Sequence, residues 1–282
     1  MSEQPIITVV GPGVMGEAII AGLLRNGLTI PEKIRASGPI VERGEEMEER
    51  YGVKALYDNR VAVDGARAVI LSVKPQQLEW VLSDLQGKID PDTVVLSIIA
   101  GAPMAMIAEG LDHKSVVRAM PNTPAQIGEG ISVWTALPDV TPTQLEMARN
   151  ILAALGQEIE VDEEYYLDMA TALSGSGPAY IFLFMEAMID AGVHLGFPRR
   201  IAEQLVVQTL RGSVDYYEMK KAHPAHLRNE VTSPGGTSAA ALYYLEKAGI
   251  RTAISRAIWA AFERSQELGR GMASKPPENN KD

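Results

Sequence analysis

The N-terminal residues that could do chemistry are glycines. Gly11-Pro12-Gly13-Val14-Met15-Gly16 matches the pattern G-x-G-x-x-G. Between a strand and a helix, the first glycine permits a tight turn, the second lets the backbone approach a pyrophosphate, and the third lets helix and strand pack closely. An apolar β-branched run, Ile6–Val10, precedes the pattern, and a helical stripe beginning at Met15 follows it. We therefore predict a dinucleotide along Gly11, Gly13, Val14, Met15 and Gly16; a structural turn without a ligand is the alternative.

The position that would contact the adenosine ribose carries no acidic residue. NAD-binding domains usually have Asp or Glu near the end of the second strand, about 20 residues after the glycines. This chain has Ala36-Ser37-Gly38-Pro39 there. The missing carboxylate leaves room for a 2′-phosphate, to which Ser37 could donate and which Arg35 or Arg43 could approach. The pattern favours NADPH, with NADH as the alternative.

Three further segments follow predicted strands and could line the same crevice. They are Val73-Lys74-Pro75, Ala100-Gly101 and Met120-Pro121-Asn122-Thr123-Pro124. Pro75 biases Lys74 towards an extended backbone, which would aim its carbonyl into the crevice. Asn122 offers a short polar group on a loop stiffened by two prolines. A plain strand exit and a rigid turn are the alternatives for these segments.

Two loops rich in glycine and serine stand out in the second half. They are Ser174–Tyr180 and Ser233–Ser238, and both open apolar helices. Backbone N–H groups and hydroxyls at a helix start can bind a carboxylate. The alternative is ordinary N-capping by the hydroxyls.

The elements that must position these residues differ between the two halves. Short apolar runs alternate with helical patterns in the first half, which predicts an α/β fold with a Rossmann-type, doubly wound parallel sheet. The runs are Ile6–Val10, Lys33–Ser37, Ala68–Val73, Val94–Ile99, Val116–Met120, Ile131–Thr135 and Gln157–Val161. After about Asp162 the pattern is almost entirely helical. We predict a dinucleotide-binding domain over 1–162, an all-helical domain over 163–274, and a disordered tail over 275–282.

Composition excludes several classes of function. The 282 residues contain no cysteine, which removes thiolate catalysis and Cys-based zinc sites. The formal net charge of −10 disfavours a nucleic-acid partner. The four histidines have no spacing typical of metal ligands, so we expect no metal. The apolar stretch from Ala179 to Leu195 contains Glu186, Asp190 and His194, which argues against a membrane span, and we expect a cytoplasmic location.

The order of these motifs resembles the pyrroline-5-carboxylate reductase family from about Ile6 to Leu268. The loop Ser233–Ser238, with the helix after it, is the most specific element of the resemblance. The family joins a Rossmann domain to a helical domain that dimerises through interlocking helices, often in rings of dimers. Its reaction transfers a hydride from NADPH or NADH to the imine carbon of pyrroline-5-carboxylate and yields proline, the last step of proline synthesis.

The resemblance also implies roles for individual residues. Those along the cofactor would be Asn59, Val73, Lys74, Pro75, Ala100 and Gly101. Those that hold the substrate carboxylate would be Ser233, Gly235, Gly236 and Thr237, with Asn122 nearby. Ser238 stands where the family usually has a threonine whose hydroxyl meets the imine nitrogen; it keeps the hydroxyl and loses the methyl group. The chain also lacks the basic residue that often follows the serine at position 37.

Two alternatives remain: another two-domain dehydrogenase, such as a β-hydroxyacid dehydrogenase or an imine reductase, and a non-catalytic protein. A β-hydroxyacid dehydrogenase would want a catalytic lysine on the helix after the second glycine loop, but Gly177 is followed by Pro178-Ala179-Tyr180-Ile181 without one. A stereoselective imine reductase shares the two-domain pattern. A non-catalytic protein that binds nucleotide for regulation would not need Lys74-Pro75, Ser233 to Gly236 and a hydroxyl at position 238.

Overall fold

A computed structural model of the chain describes residues Gln4–Ala273. The predicted tail, residues 275–282, lies outside the described residues. The chain forms two compact units. Of the described residues, the first unit comprises Gln4–Ser176 and Ala260–Ala273, and the second is Gly177–Trp259.

In the described part of the chain, eight strands form one sheet in the order β3-β2-β1-β4-β5-β6-β7-β8. The strands are β1 (Ile7–Val10), β2 (Ile34–Ser37), β3 (Lys54–Leu56), β4 (Ala68–Leu71), β5 (Val94–Ser97), β6 (Val116–Met120), β7 (Gly130–Ala136) and β8 (Gly156–Glu160). β1 pairs in parallel with both β2 and β4, so that Val9 lies between Ala36 and Ile70. This is the doubly wound order: successive strands are added on one side of β1 up to β3, and from β4 onward on its other side.

The central strands are buried because both faces of the sheet are covered. All four residues of β1, β4 and β5 are buried, which explains why they read as continuous apolar runs rather than alternating ones. β7 differs from the prediction of a parallel sheet because it runs antiparallel to β6. β3 was missed because it is a three-residue edge strand that begins with the exposed Lys54.

The helices are α1 (Val14–Arg25), α2 (Val41–Tyr51), α3 (Asn59–Val63), α4 (Leu78–Leu85), α5 (Met104–Leu111), α6 (Pro142–Ala153), α7 (Tyr166–Ala170), α8 (Gly177–His194), α9 (Arg199–Lys220), α10 (Pro224–Glu230), α11 (Thr237–Lys247) and α12 (Ile250–Ala273). Thr141 and Gln144 form a capping box at the start of α6. A π-helical turn, Thr171–Gly175, connects α7 to α8. Pro198 lies at the N-cap of α9.

The second unit exposes much of its apolar surface. α8 has no buried residue, and the side chains of Phe182 and Leu183 are 63% and 67% exposed. By length and composition alone, the helical run Tyr166–His194 could cross a membrane. Such a run is weak evidence for a membrane, since a helix that a second protein subunit covers has the same composition.

Candidate functional site

The glycine-rich turn joins β1 to α1, and its packing leaves no room for a side chain at the first and third glycines. Gly11 has a φ of +88°, and a Cβ there would lie 2.6 Å from Cγ1 of Val73. A Cβ at Gly16 would lie 2.6 Å from the carbonyl oxygen of Gly11. At Gly13, by contrast, no described atom lies within 4 Å of an added Cβ. The middle glycine therefore faces open space, where a ligand could approach the backbone.

The start of α1 adds donors to this open space. Gly13 is the N-cap of the helix, and no side chain caps it. The N–H groups of Val14, Met15 and Gly16 belong to the first turn, where the helix itself offers no acceptors. Ser72 holds the turn from β4 by donating its hydroxyl to the carbonyl of Gly11 at 2.6 Å. Free N–H groups and the helix dipole together favour an anion at this position.

A charged cluster lies beside the turn, although Glu17 was not singled out from the sequence. The Glu17 carboxylate accepts hydrogen bonds from Arg43, Arg50 and the Tyr51 hydroxyl. Burial opposes ionisation of Glu17, but these three donors outweigh it and hold its pKa below the ordinary value of 4.5. Nε of Arg43 also donates to the carbonyl of Pro12 at 2.6 Å, so this guanidinium lies against the turn.

Arg43, and not Arg35, is therefore the arginine beside the glycines. The Arg35 guanidinium donates to the carbonyl oxygens of Ala62 and Asp64, at 2.9 and 2.5 Å. These two hydrogen bonds hold the Arg35 guanidinium at the C-terminal end of α3.

Ser37 and Asn59 come together at the end of the second strand. The buried Ser37 donates its hydroxyl to Oδ1 of Asn59 at 2.7 Å, and Nδ2 of Asn59 donates to Asp84 at 3.1 Å. The backbone carbonyl of Ser37 accepts from the N–H of Gly11 at 2.8 Å. Ser37 thus braces the glycine-rich turn through its backbone, while its hydroxyl is donated to Asn59 in this structure. Asp84, which fixes Asn59, was not predicted because it lies in the last turn of α4, 25 residues from Asn59 in the chain.

The loops after β4 and β5 reach the same edge of the sheet, since they follow the carboxyl ends of neighbouring parallel strands. Lys74 is exposed and extended, with φ −65° and ψ 148°, as the following proline predicts. Its carbonyl accepts from the N–H of Gln77 at 2.9 Å and so closes a short 3₁₀ turn. Gly101 is buried and has a φ of +74°.

Asn122 joins three segments rather than pointing a free amide into the crevice. Its Oδ1 accepts from the N–H of Ile131 at 3.0 Å, and its Nδ2 donates to the carbonyl of Ser174 at 3.2 Å. The side chain therefore connects the loop after β6 to β7 and to the π-helical turn. This connection fixes the first glycine-serine loop, whose start lies in that turn.

The second glycine-serine loop, Ser233–Ser238, belongs to the second unit. Gly235 has a φ of +72°, and the N–H of Gly236 donates to the carbonyl of Ser233 at 3.0 Å. Gly236 is the N-cap of α11, without a side-chain cap, and Thr237 is the first residue of the helix. Ser238 is thus the second helical residue, so the alternative that its hydroxyl serves as the N-cap is wrong.

A separate cavity of about 610 Å³ lies on the first unit, beside the amino ends of β4 to β6. Arg67, Asp92, His113 and Gln144 are among its lining residues. Nε2 of His113 lies 2.8 Å from the carbonyl of Thr93, and burial lowers the pKa of this imidazole. The cavity is thus at the opposite edge from the glycine-rich turn. Within Gln4–Ala273, no group of three or more His, Asp or Glu side chains could hold a metal ion.

Comparison with known proteins gives matches over both halves. A family model described as "Pyrroline-5-carboxylate reductase dimerisation" matches residues 164–268. A second, described as "NADP oxidoreductase coenzyme F420-dependent", matches residues 6–101. Pyrroline-5-carboxylate reductase of Synechocystis sp. is 42% identical over 262 residues, which cover 93% of this chain and 97% of the relative.

Solved structures give the same result. A pyrroline-5-carboxylate reductase from Coxiella burnetii is 36% identical with a TM-score of 0.84, over 94% of this chain and 99% of that chain. The Plasmodium falciparum pyrroline carboxylate reductase with NADP bound has a TM-score of 0.87 at 29% identity, over 95% of this chain and 99% of that chain.

The hydrogen bonds of Glu17 predict that the free energy of unfolding decreases as the pH becomes acidic. A carboxyl group with a depressed pKa stabilises the fold above its unfolded pKa, and this contribution is lost as pH falls through the folded value. Glu17→Gln, which cannot ionise, should cost about 1 kcal/mol of unfolding free energy at pH 7. The difference from wild type should shrink below pH 4.5. Urea unfolding between pH 7 and pH 3 measures it.

Glu49→Gln is the matched control, because Glu49 is an exposed carboxylate on α2 for which the described residues show no ion pair. Its effect should stay within a few tenths of a kcal/mol. A Glu17→Gln penalty that stays constant down to pH 3 would contradict the assignment.

Proposed function

The chain belongs to the pyrroline-5-carboxylate reductase family, and from that premise we propose that its glycine-rich edge holds NADPH while the Ser233–Ser238 loop holds the substrate. The enzyme reduces 1-pyrroline-5-carboxylate to L-proline with NAD(P)H, the last step of proline biosynthesis. The observation that carries the cofactor site is the open approach at Gly13, beside the uncapped start of α1. Gly11, Gly13, Val14, Met15 and Gly16 would line the pyrophosphate.

The remaining cofactor residues follow from the same edge. Ser37 and Asn59 would lie at the adenosine ribose, with Arg43 nearest to a 2′-phosphate. Val73, Lys74 and Pro75 would lie beyond them, followed by Ala100 and Gly101. Lys74 is exposed and Val73 is partly buried, so atoms of both residues are accessible to a bound molecule.

The reduction requires few catalytic side chains. The bound nicotinamide supplies the hydride. The substrate is a cyclic imine, and its protonated form is already electrophilic. The protein must hold the imine carbon in place, exclude water and orient the nitrogen. No strong general acid is needed when the substrate arrives protonated.

The substrate carboxylate would bind at the start of α11. Ser233, Gly235, Gly236 and Thr237 supply backbone N–H groups and two hydroxyls there, although the Gly236 N–H already donates to the Ser233 carbonyl, and no side chain caps the helix. Such a helix start favours a negative charge. Asn122 would act by fixing the loop at Ser174, since both ends of its amide are engaged.

An assay of NADPH oxidation with pyrroline-5-carboxylate as substrate tests the function directly. Proline should form in equal amounts to the NADPH consumed. If no proline forms, reduction of a 3-oxoacid to a 3-hydroxyacid would favour the hydroxyacid dehydrogenase. Reduction of acyclic imines only would favour the imine reductase. Binding of NADPH without turnover would favour a regulatory protein.

The cofactor preference follows from the missing carboxylate near Ser37 and from the place of Arg43. We expect NADPH to give a higher kcat/KM than NADH. Arg43 is already paired with Glu17 and Glu46, so its attraction to a 2′-phosphate should be worth about 1 kcal/mol or less, a preference of about twofold to fivefold. Arg43→Met should reduce that ratio towards one. Steady-state kinetics with both cofactors decide it.

Arg50→Met is the control for this variant, because Arg50 also pairs with Glu17 and Glu46 while no bond joins it to Pro12 in the described structure. It should keep the NADPH preference of the wild type. A clear preference of the wild type for NADH would show that the absent carboxylate is misleading.

Ser238 is proposed as the residue whose hydroxyl meets the imine nitrogen. Ser238→Ala should leave the melting temperature nearly unchanged, since the residue is not the cap of α11. A hydrogen bond to a charged group is worth roughly 1.5–3 kcal/mol, so kcat/KM should fall about tenfold to a hundredfold. Ser238→Thr should retain activity. A kcat/KM of Ser238→Ala within twofold of wild type would end the assignment.

The match to the dimerisation family supports self-association, and we extend this proposal to an obligate dimer through α8, to rings of such dimers and to a cytoplasmic location. The reason is that α8 exposes apolar side chains along its length in one chain, and covering them requires a partner. A protein partner suits Glu186 and Asp190 on this helix better than lipid does.

Leu183→Glu tests the dimer. A carboxylate at this 67% exposed leucine would be buried on association, at a cost of several kcal/mol, so the dimer Kd should rise by a hundredfold or more. Sedimentation and activity should show loss of the dimer and of turnover together. Trp80→Glu, at a 59% exposed position of the first unit, is the control and should stay dimeric. A wild-type monomer that is fully active at nanomolar concentration would contradict the proposal.

A further inference from the structure

The end of the last helix touches the loop after β5. Gly269 on α12 packs against Gly101, and both residues belong to the first unit. A Cβ on Gly269 would lie 3.0 Å from the carbonyl oxygen of Gly101 and 3.9 Å from its Cα. The contact is therefore backbone against backbone, at a distance that leaves no comfortable room for a side chain.

A network of polar contacts holds α12 in this place. Ser265, one turn before Gly269, is 2% exposed and donates its hydroxyl to Asp168 at 2.7 Å. Asp168 lies 3.8 Å from the buried guanidinium of Arg118 on β6, and Arg118 donates to Glu164 at 2.8 Å. Ser265 and Gly269 are four residues apart and lie on one face of the helix. The hydrogen bond of Ser265 therefore fixes the position of Gly269 relative to Gly101.

The same network also holds the C-terminal end of the loop after β5. The Glu164 carboxylate that accepts from Arg118 also accepts from the N–H of Met104 at 2.8 Å, the first residue of α5. The loop from Ala100 to Pro103 is thus fixed at Met104 by Glu164 and at Gly101 by Gly269. No part of this network belongs to the cofactor or substrate residues proposed above, apart from Gly101 itself.

We propose that the C-terminal turns of α12 are a positioning element for the Ala100–Gly101 loop, and that Gly269 is the residue at which this contact requires the absence of a side chain. The inference rests on the proposed function, in which Ala100 and Gly101 lie along the cofactor. Gly269 touches no reacting atom in this scheme; it acts through the backbone of Gly101.

The size of the expected effect follows from the distance. An alanine at position 269 needs its neighbour to give by a few tenths of an ångström. A misplacement of about 1 Å at a reacting centre can cost about a hundredfold in rate, so a few tenths should cost about threefold to tenfold in kcat. Glycine to alanine inside a helix does not weaken the helix itself.

The experiment compares Gly269→Ala with Gly271→Ala in the full-length enzyme. Gly271 lies two residues further along α12, and no described atom is within 4 Å of its added Cβ. Gly269→Ala should lower kcat with pyrroline-5-carboxylate and NADPH about threefold to tenfold. Its Kd for 2′,5′-ADP, which lacks the nicotinamide, should stay within twofold, and its Tm should not fall. Gly271→Ala should match wild type in all three measurements.

Ser265→Ala provides a second variant that leaves the Gly269 contact surface unchanged. It removes the bond to Asp168 and should lower kcat in the same direction, again without loss of 2′,5′-ADP affinity. Wild-type kcat in Gly269→Ala overturns the proposal. Equal losses of kcat and of 2′,5′-ADP affinity also overturn it, since they indicate a general disturbance of the sheet edge.

Hydrogen exchange on the wild type separates this inference from the proposed function. If Ala100 and Gly101 lie along the cofactor, NADPH should slow amide exchange in the peptide that contains them, and 2′,5′-ADP should not. Absence of that protection refutes the cofactor placement on which the inference rests. Protection together with wild-type kcat in Gly269→Ala refutes the positioning role alone.

Discussion

The close contact of α1 with β1 and β4 is the constraint on which the cofactor edge depends. Gly16 meets the carbonyl of Gly11 and the hydroxyl of Ser72 at distances that no Cβ allows. Only this packing lets the helix begin directly beyond the end of β1, so that its first N–H groups face the edge of the sheet. The strands on either side then bring Ser37 and Val73 to the same edge. Because the backbone makes this arrangement, few side chains are needed for binding.

Local charge, rather than net charge, decides whether an anionic cofactor can bind. The chain carries a formal charge of −10, yet exposed charges more than about 8 Å away are largely screened at physiological salt. Glu17 is the acidic residue closest in sequence to the turn, and Arg43, Arg50 and Tyr51 all bond to it. Its charge is therefore compensated where it would repel a phosphate most. The same pairing occupies Arg43, which is why we expect only a modest preference for NADPH.

The sequence predicted the buried strands and the glycine-rich turn well, because burial on both faces and a tight contact each leave a local pattern of residue types. It did not predict β3, whose exposed Lys54 looks like a loop, or the antiparallel direction of β7, since apolar periodicity is the same in both directions. It also treated Ser37 and Asn122 as free polar groups. Their partners, Asn59 and Ser174, are 22 and 52 residues away in the chain, and no local pattern encodes such distances. The contact of Gly269 with Gly101 could not be predicted either, because these residues are also far apart in the chain.

Different contacts stabilise the proposed cofactor residues and the proposed substrate residues. Contacts within one chain fix the cofactor edge, since its central strands are buried and neighbouring atoms closely surround Gly11 and Gly16 of the turn. The Ser233–Ser238 loop lies instead in a unit whose helices expose residues such as Leu183 and Tyr244 in the single chain. A unit of this kind gains most of its stability when a partner covers those side chains. Substrate affinity should therefore depend on protein concentration near the dimer Kd, whereas binding of 2′,5′-ADP to the first unit should depend on it far less.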